Sequence, residues 1–236
     1  MKVLLIGRTQ FIGRHIAETL LKCGDEVTLF HRGNTNGELF PAAEHRCGDR
    51  DQDLAKLARR IWDAAIDTSA YLARHVKSLA NALGGSGGRY VFISLVSAYA
   101  TPSEPNFNED SPLEVLEDPL TERVTADSYG GLRALCTRAV QEFLAGNSLL
   151  CEAGPTPRNV WLTYLTGRYH HGARFTWGEV RIAHGAKVLE PESRNNPVRI
   201  IDVRTMRHSW FCWHVARRAA FPTPWVPSDP HLSVIF

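Results

Sequence analysis

Long apolar runs and paired cysteines are both missing from this sequence of 236 residues. No stretch is apolar for long enough to span a bilayer. Only four apolar residues lie between Met1-Lys2 and Gly7, so no signal peptide is expected. The five cysteines are odd in number and include no Cys-x2-Cys spacing, which argues against a disulfide framework and against a metal cluster. The sequence therefore predicts a cytoplasmic protein without a membrane anchor or a bound metal.

A strong charge of one sign is missing as well, because the formal net charge is +2. The charge is nevertheless uneven: residues 158–236 carry eleven Lys and Arg against five Asp and Glu, together with five of the six tryptophans. A basic, aromatic segment is able to bind phosphates and to stack on bases. No recognised nucleic-acid module accompanies it, so nucleic acid is the less favoured partner.

The first 33 residues have the pattern of a complete βαβ unit. Apolar residues 3–6 predict a strand, residues 7–13 a turn, the apolar spacing up to Gly24 a helix, and residues 27–30 a parallel strand. Such a unit places the unpaired N–H groups of the helix start at the end of the first strand, where they can bind a pyrophosphate. The residues predicted to hold a dinucleotide here are Gly7, Thr9, Gln10, Phe11, Ile12 and Gly13.

The glycine pattern is incomplete, because Gln10 stands where a full dinucleotide fingerprint has its middle glycine. Gly7 and Gly13 occupy the outer positions. A second interpretation therefore stays open, in which the two glycines only allow the strand and the helix to pack closely.

The residue after the second predicted strand indicates which nicotinamide nucleotide binds. An acid about twenty residues past the glycines would hold the ribose 2′-hydroxyl of NAD, whereas this chain has Arg32, with Arg8 in the glycine turn. A guanidinium can pair with a 2′-phosphate through two hydrogen bonds. NADP is therefore favoured over NAD, with a solvated loop arginine as the alternative. Asp49, after the third predicted strand, is expected either to accept from the adenine amino group or to have a capping or loop role.

Strands and helices continue to alternate further along the chain. Strands are predicted at 44–47, 62–67 and 89–94, and helices near 54–57, at 74–83 and from Asp127 or Ser128 to Phe143. This alternation predicts an α/β fold, a Rossmann-type doubly wound parallel sheet with helices on both faces.

The predicted fold divides the chain into two parts. We expect residues 1–156 to form the NAD(P)-binding domain and residues 157–236 a small, irregular and shortened substrate lobe. Between the fifth strand and the last helix, the acidic loop 101–122 is interpreted as solvated, with a cover over the site as the alternative.

Several stretches together resemble a known family, namely residues 3–13, 27–33, 48–50, 63–67, 90–99 and 129–136. They are similar to the extended or atypical short-chain dehydrogenase/reductase superfamily, and more narrowly to its NAD-dependent epimerase/dehydratase group. That group includes bacterial reductase-type proteins and plastid stem-loop RNA-binding relatives. The resemblance implies an NAD(P)-dependent oxidoreductase or epimerase acting on a carbonyl or hydroxyl carbon of a sugar-like or other small polar substrate. It is compatible with a homodimer, and it places His170 and His171 in a polar loop beside the substrate.

The chemistry of that family depends on a Tyr-x3-Lys pair and on a Ser or Thr after the fifth strand. The resemblance places Tyr129 at the proton-transferring tyrosine, Arg133 at the lysine and Leu95 at the hydroxyl. Arg133 keeps a positive charge near the phenol but cannot lose a proton, and Ser94 or Ser97 would have to orient the substrate. We therefore expect strongly reduced activity if no serine replaces Leu95. The alternative function is a non-catalytic dinucleotide- or RNA-binding module.

Overall fold

A computed structural model describes residues 1–7, 9–58, 60–84, 88–100, 111–146, 158–162, 164–170, 176–185 and 200–206. The predictions made for Arg8, residues 101–110, His171 and the chain after residue 206 lie outside these residues. Within the described ranges, no helix is both long enough and apolar enough to cross a membrane.

Six parallel strands form the central sheet, and helices connect them. The strands are β1 (Lys2–Ile6), β2 (Glu26–His31), β3 (Glu44–Cys47), β4 (Ala64–Asp67), β5 (Arg89–Leu95) and β6 (Arg158–Leu162). The helices are α1 (Ile12–Lys22), α2 (Ala73–Leu83) and α3 (Ala126–Gly146), with short 3-10 turns at Leu54–Leu57 and Val96–Ala98. The spatial order is β3-β2-β1-β4-β5-β6, and every neighbouring pair is parallel. The chain order reverses between β1 and β4, so the predicted Rossmann-type doubly wound fold is confirmed.

The residues of β1 alternate between two hydrophobic clusters on opposite faces of the sheet. Val3 and Leu5 pack with the cluster that includes Ile16 of α1, and Leu4 and Ile6 pack with the cluster that includes Val76 of α2. Because both faces are covered, a strand in this position is apolar throughout and shows no polar alternation.

Later residues add to the same fold. A small parallel sheet joins β7 (Tyr164–Thr166) to β8 (Ile200–Asp202), and α4 (Thr176–Ala183) and α5 (Val203–Met206) follow these strands in the chain. Val203 is fully buried in the cluster on the α1 face. β6 belongs to the main sheet although it follows residue 156; the division into two domains there stays a prediction.

The structure corrects four local predictions. The fourth strand begins at Ala64, and Trp62 lies before it, buried in the core. The helix near 54–57 is a single 3-10 turn. Thr125, rather than Asp127 or Ser128, caps α3: its hydroxyl accepts the Ser128 N–H at 3.2 Å, while the Ser128 hydroxyl accepts the Thr125 N–H at 2.9 Å. These reciprocal hydrogen bonds are those of a capping box. α3 also continues to Gly146, beyond the predicted end at Phe143.

Candidate functional site

A cavity of about 420 Å³ lies at the carboxyl ends of β1, β2, β3 and β4. In open α/β sheets ligands bind at this edge, where the strand order reverses. The predicted cofactor residues that line it are Gly7, Thr9, Arg32 and Asp49. Gln10, Phe11, Ile12 and Gly13 are not among its described lining residues; Phe11 and Gly13 are buried, and Gln10 and Ile12 are half-buried. Four of the eight predicted cofactor residues thus line the cavity, and their binding of a cofactor stays a prediction.

Gly7 has no room for a side chain. Its φ is +132°, and a Cβ at this position would clash with the Thr68 hydroxyl. Its N–H donates to the carbonyl of Phe30 at 3.1 Å, which joins the turn to β2. The close packing of this turn is thus a structural requirement, and it brings the backbone to the cavity wall.

The start of α1 lacks a side-chain cap from its own cap residue. Phe11 holds the cap position and has no acceptor in its side chain, while its carbonyl accepts the His15 N–H at 3.2 Å. N–H groups in the first turn of a helix have no intrahelical partner and attract anions. This end of α1 therefore keeps the chemistry that a pyrophosphate requires.

Thr9 connects the glycine turn to the loop that follows β2. Its buried hydroxyl lies 3.0 Å from the carbonyl oxygen of Thr35 and 3.3 Å from that of Asn36. The Asn36 amide in turn donates to the Thr9 carbonyl at 3.0 Å. The Thr9 side chain is therefore engaged in fixing the two loops against each other, and only its backbone is left for a ligand.

Arg32 and Asp49 occupy two sides of the cavity. Arg32 is exposed where the β2 loop begins. Asp49 is half-buried, and its carboxylate accepts the Asp51 N–H at 2.8 Å while its own N–H donates to Asp53 at 2.8 Å. Asp49 therefore makes hydrogen bonds within its own loop, which is one of the two roles expected of it, and the contact with adenine stays a prediction.

An ion pair beside the cavity was not recognised from the sequence. Arg50 donates to the two carboxylate oxygens of Asp67 at 3.1 and 2.9 Å, and also to the Ser69 hydroxyl at 2.9 Å. The Tyr90 hydroxyl donates to Asp67 at 3.0 Å. Burial alone would raise the pKa of the fully buried Asp67, but the charge and hydrogen bonds of Arg50 outweigh it and hold that pKa below its usual value. The acid at the end of the uniformly buried strand β4 indicates from the sequence that a buried carboxylate needs a partner, but it does not identify Arg50 as that partner.

A second cluster of charged and polar side chains lies between this pair and α2. Arg74 donates to Asp51 at 2.6 Å and to Glu122 at 2.8 Å, and Nε2 of His75 lies 3.2 Å from Asp51. Burial, followed by the charge of Arg50, lowers the pKa of His75. Through Glu122, the end of the acidic loop is joined to α2 by an exposed ion pair.

Tyr129 and Arg133 have very different surroundings although they share one face of α3. Tyr129 is half-buried, and its ring centroid lies 6.1 Å from that of Tyr71, a cavity-lining residue. Arg133 is 3% exposed, and its guanidinium donates to the carbonyls of Ala70 and Ile93. Its charge is therefore held by backbone oxygens that follow β4 and lie within β5.

The two candidate serines are also separated by the structure. Ser94 is fully buried, and its hydroxyl lies 3.3 Å from that of Thr137 on α3. Ser97 is half-buried in the 3-10 turn after β5, where a Cβ on Gly130 would clash with its carbonyl. Ser97 is thus brought beside the start of α3 and Tyr129, while Ser94 is engaged in the core. Leu95 is half-buried against the cluster on the α1 face.

The loop after β7 packs on the first turns of α1. The His170 ring contacts Phe11 edge to face at 4.7 Å, and the Arg14 guanidinium lies 3.5 Å from the centre of the Tyr169 ring. His15 bonds to the Arg168 carbonyl through Nε2 at 2.9 Å. His170 therefore lies beside the predicted pyrophosphate turn; the substrate contact expected of it stays a prediction.

Among the described residues no three His, Cys, Asp or Glu side chains are grouped as a metal ion would require. No protein-family model matches the chain. Over 70 residues it is 37% identical to the chloroplast stem-loop binding protein of 41 kDa b from Arabidopsis thaliana. This match covers 30% of the chain and only 17% of that relative, so the relative's activity is not transferred by it.

Solved structures of NAD-dependent epimerases and dehydratases share the fold. A UDP-galactose 4-epimerase superposes with a TM-score of 0.63 at 17% identity, over 88% of this chain and 69% of the other. MoeE5 in complex with UDP-glucose and NAD gives a TM-score of 0.61 at 17% identity, with the same coverage of both chains. The structural neighbours also include members of the short-chain dehydrogenase/reductase superfamily. At these identities the likeness establishes the fold.

Proposed function

We propose that this protein binds a nicotinamide dinucleotide in the cavity at the carboxyl edge of the sheet. The single observation that supports this most is the turn at Gly7, where a Cβ would fill the space beside the strand and where α1 starts soon after without a side-chain cap. Backbone N–H groups in such a turn suit a pyrophosphate. The structural neighbour MoeE5, solved in complex with UDP-glucose and NAD, supports the same cofactor class.

The adenosine half would lie between the β2 loop and the β3 loop. Arg32 is exposed there, and its side chain makes no hydrogen bond or ion pair with another described residue. A guanidinium in this position is suited to a 2′-phosphate, so we favour NADP over NAD. Asp49 would accept from the adenine amino group through the carboxylate lone pairs that the Asp51 N–H leaves unused.

The chemistry we propose is of the oxidoreductase or epimerase type, on a carbonyl or hydroxyl carbon of a small, sugar-like molecule. A bound nicotinamide supplies or accepts the hydride in such reactions. Tyr129 would move the proton at the substrate oxygen, and Ser97 would orient that oxygen because it lies beside the start of α3. Two N–H groups of the Arg133 guanidinium donate to the Ala70 and Ile93 carbonyls, so in this proposal Arg133 contributes little to the phenol. We therefore propose that the chemical step is slow.

The second candidate function is a dinucleotide-binding module without catalysis. The observation that favours it is the buried guanidinium of Arg133. It donates to a backbone carbonyl and cannot lose a proton, so it does not supply the chemistry of a lysine ammonium. A nucleic-acid partner belongs to this alternative, since the relative that matches 70 residues is named a stem-loop binding protein. RNA binding would weaken steeply with added salt. The cytoplasmic location and the homodimer stay predictions.

The test is calorimetric titration of the protein with NAD and with NADP. We expect one dinucleotide per chain, the NADP complex being the tighter, and displacement of either nucleotide by ADP-ribose. The absence of binding by both nucleotides would overturn the proposal. A parallel titration with a stem-loop RNA at two salt concentrations tests the alternative. UDP-glucose and UDP-galactose serve as substrate probes, because the structural neighbours include a UDP-galactose 4-epimerase and a complex with UDP-glucose.

A further inference from the structure

Two histidines on neighbouring strands connect both ends of the loop after β2. The Gly33 N–H donates to Nδ1 of His31 at 3.0 Å, and Nε2 of His31 lies 2.9 Å from Nδ1 of His45. At the other end, Nε2 of His45 lies 3.2 Å from the carbonyl oxygen of Phe40. The loop from Gly33 to Phe40 is therefore closed by three consecutive hydrogen bonds through two imidazole rings.

The outer partners determine the protonation of both rings. The Phe40 carbonyl can only accept, so Nε2 of His45 carries a hydrogen; the Gly33 N–H can only donate, so Nδ1 of His31 carries none. The contact between the rings then requires the hydrogen on Nε2 of His31 and none on Nδ1 of His45. Both rings are neutral when all three hydrogen bonds are made.

Any added proton breaks one of these bonds. On Nδ1 of His31 it would face the Gly33 N–H, and on Nδ1 of His45 it would face the His31 N–H, so a donor would oppose a donor in either case. His31 is 7% exposed and His45 is half-buried, so water has limited access to the contact between the two rings.

The loop held by the histidines forms one wall of the cavity. Its residues Gly33, Asn34 and Thr35 line that cavity, as does Arg32 just before it, and the Thr9 hydroxyl ties the same loop to the glycine turn. Phe40 has a φ of +67°, an uncommon conformation for a residue other than glycine. Two hydrogen bonds to the Phe40 carbonyl help to hold this uncommon conformation at the end of the loop. One comes from His45 and the other from the Ala43 N–H at 2.8 Å.

We propose that the His31–His45 pair is a proton-sensitive positioning device, which holds the nucleotide-binding loop in place and releases it when either ring is protonated. The consequence for binding rests on the proposed function, because the loop is assigned to the adenosine half of the dinucleotide. Affinity for the dinucleotide is expected to fall as the solution is acidified, since the cavity wall formed by Gly33, Asn34 and Thr35 loses its fixed position.

The surroundings of the pair favour its neutral form. Burial, followed by the charge of His45, lowers the pKa of His31. Around the pair, β3 contributes the titratable Cys47, which is in register with His31, while β1 contributes apolar residues. On α1, His15 is bonded to the Arg168 carbonyl, and Arg14 and Glu18 pair with each other at 3.3 Å. Glu44 and Arg46 alternate with His45 on β3 and so face the other side of the sheet.

The experiment compares NAD affinity between about pH 8 and about pH 5, on either side of the ordinary histidine pKa. The matched variant is His31→Asn, because an asparagine carboxamide can accept the N–H two residues later and does not titrate in this range. Over this range the dissociation constant of the wild type is expected to rise by roughly tenfold more than that of His31→Asn, the effect of about one hydrogen bond. The comparison cancels any change due to His75, which lines the same cavity in both proteins. NAD is the probe because the 2′-phosphate of NADP itself titrates near pH 6, as phosphate monoesters do.

A second measurement needs no nucleotide. In the unliganded protein, the NMR signals of the Gly33 amide and of the two imidazole rings should titrate together, and the Gly33 signal should not move with pH in His31→Asn. A Gly33 signal that is independent of pH in the wild type, or equal pH dependence of NAD affinity in the two proteins, would overturn the inference. If neither NAD nor NADP binds at any pH while the Gly33 amide signal still changes with pH, the proposed function is wrong. The inference that protonation of the histidine pair alters the loop then still holds.

Discussion

Arg50 and Asp67 face each other through two hydrogen bonds of 3.1 and 2.9 Å, beside the cavity where the strand order reverses. The carboxylate is fully buried, and the side chain of Arg50 is 12% exposed. Removing one partner of such a pair leaves an uncompensated buried charge. The pair therefore holds the β3 loop against the end of β4, and through Ser69 it fixes part of the cavity wall.

Asp67→Asn is expected to lower the free energy of unfolding by about 3–5 kcal/mol, because Arg50 loses its counter-charge in a buried site. Urea unfolding measures this difference. The matched control is Glu122→Gln, which removes the acid from the exposed pair with Arg74 and is expected to cost at most about 1 kcal/mol. Equal losses for the two variants would contradict a special role for the buried pair.

The contribution of Asp67 should also depend on pH. Its pKa in the folded protein is held below the value of about 3.9 expected in the unfolded chain. A lowered carboxyl pKa stabilises the fold fully above the unfolded pKa, and this contribution is lost as the pH falls through the folded pKa. The difference in stability between the wild type and Asp67→Asn should therefore narrow below about pH 4. A difference that stays constant on acidification would show that charge is not its source.

Gly7→Ala is expected to lose both stability and dinucleotide affinity, because the added Cβ meets Thr68 and pushes the turn away from its position. Gly24→Ala is the matched control: Gly24 also has a positive φ, of +79°, but nothing lies within 4 Å of its added Cβ. Unfolding and nucleotide titration should be measured on both. If a folded Gly7→Ala protein binds the dinucleotide as tightly as the wild type, the glycine serves packing alone.

Much of this architecture could be predicted from local patterns. The apolar run of β1 and the spacing of Ile16 and Leu20 on α1 indicate a strand and a helix by themselves, and their alternation with later strands predicts the parallel sheet. The Arg50–Asp67 pair could not be derived in this way, because its partners are seventeen residues apart and meet only when β3 and β4 lie in their places in the sheet.

The candidate catalytic residues illustrate the same limit. The spacing of Tyr129 and Arg133 correctly places both on one face of α3, yet it does not reveal that the guanidinium ends on the Ala70 and Ile93 carbonyls. Ser94 and Ser97 were equivalent candidates by position in the sequence. The packing of β5 against α3 distinguishes them, because it places the Ser94 hydroxyl beside that of Thr137.

Arg32→Ala should weaken NADP binding by roughly tenfold or more and leave NAD binding almost unchanged, because only NADP carries the 2′-phosphate that a guanidinium would pair with. Lys22→Ala is the control, since it removes one exposed positive charge at the far end of α1. Calorimetric titration of both variants with both nucleotides gives the four affinities. An equal loss of NAD and NADP affinity, or no change in either, would contradict a 2′-phosphate contact by Arg32.

The double substitution Leu95→Ser with Arg133→Lys is expected to increase hydride transfer, because it restores a hydroxyl after β5 and an ammonium one turn beyond Tyr129. Correct general acid–base placement contributes about a hundred- to ten-thousand-fold to a rate, so a gain of about a hundredfold should be visible above a slow wild type. The lysine cannot reproduce both hydrogen bonds of the buried guanidinium, and a stability loss of a few kcal/mol is expected with it. Nucleotide reduction with UDP-glucose and UDP-galactose measures the rate, and Tyr129→Phe in the same background is the control, which should abolish the gain. If the wild type already turns over as fast as the double variant, Arg133 and Leu95 are compatible with catalysis, and the proposal of a slow chemical step is wrong.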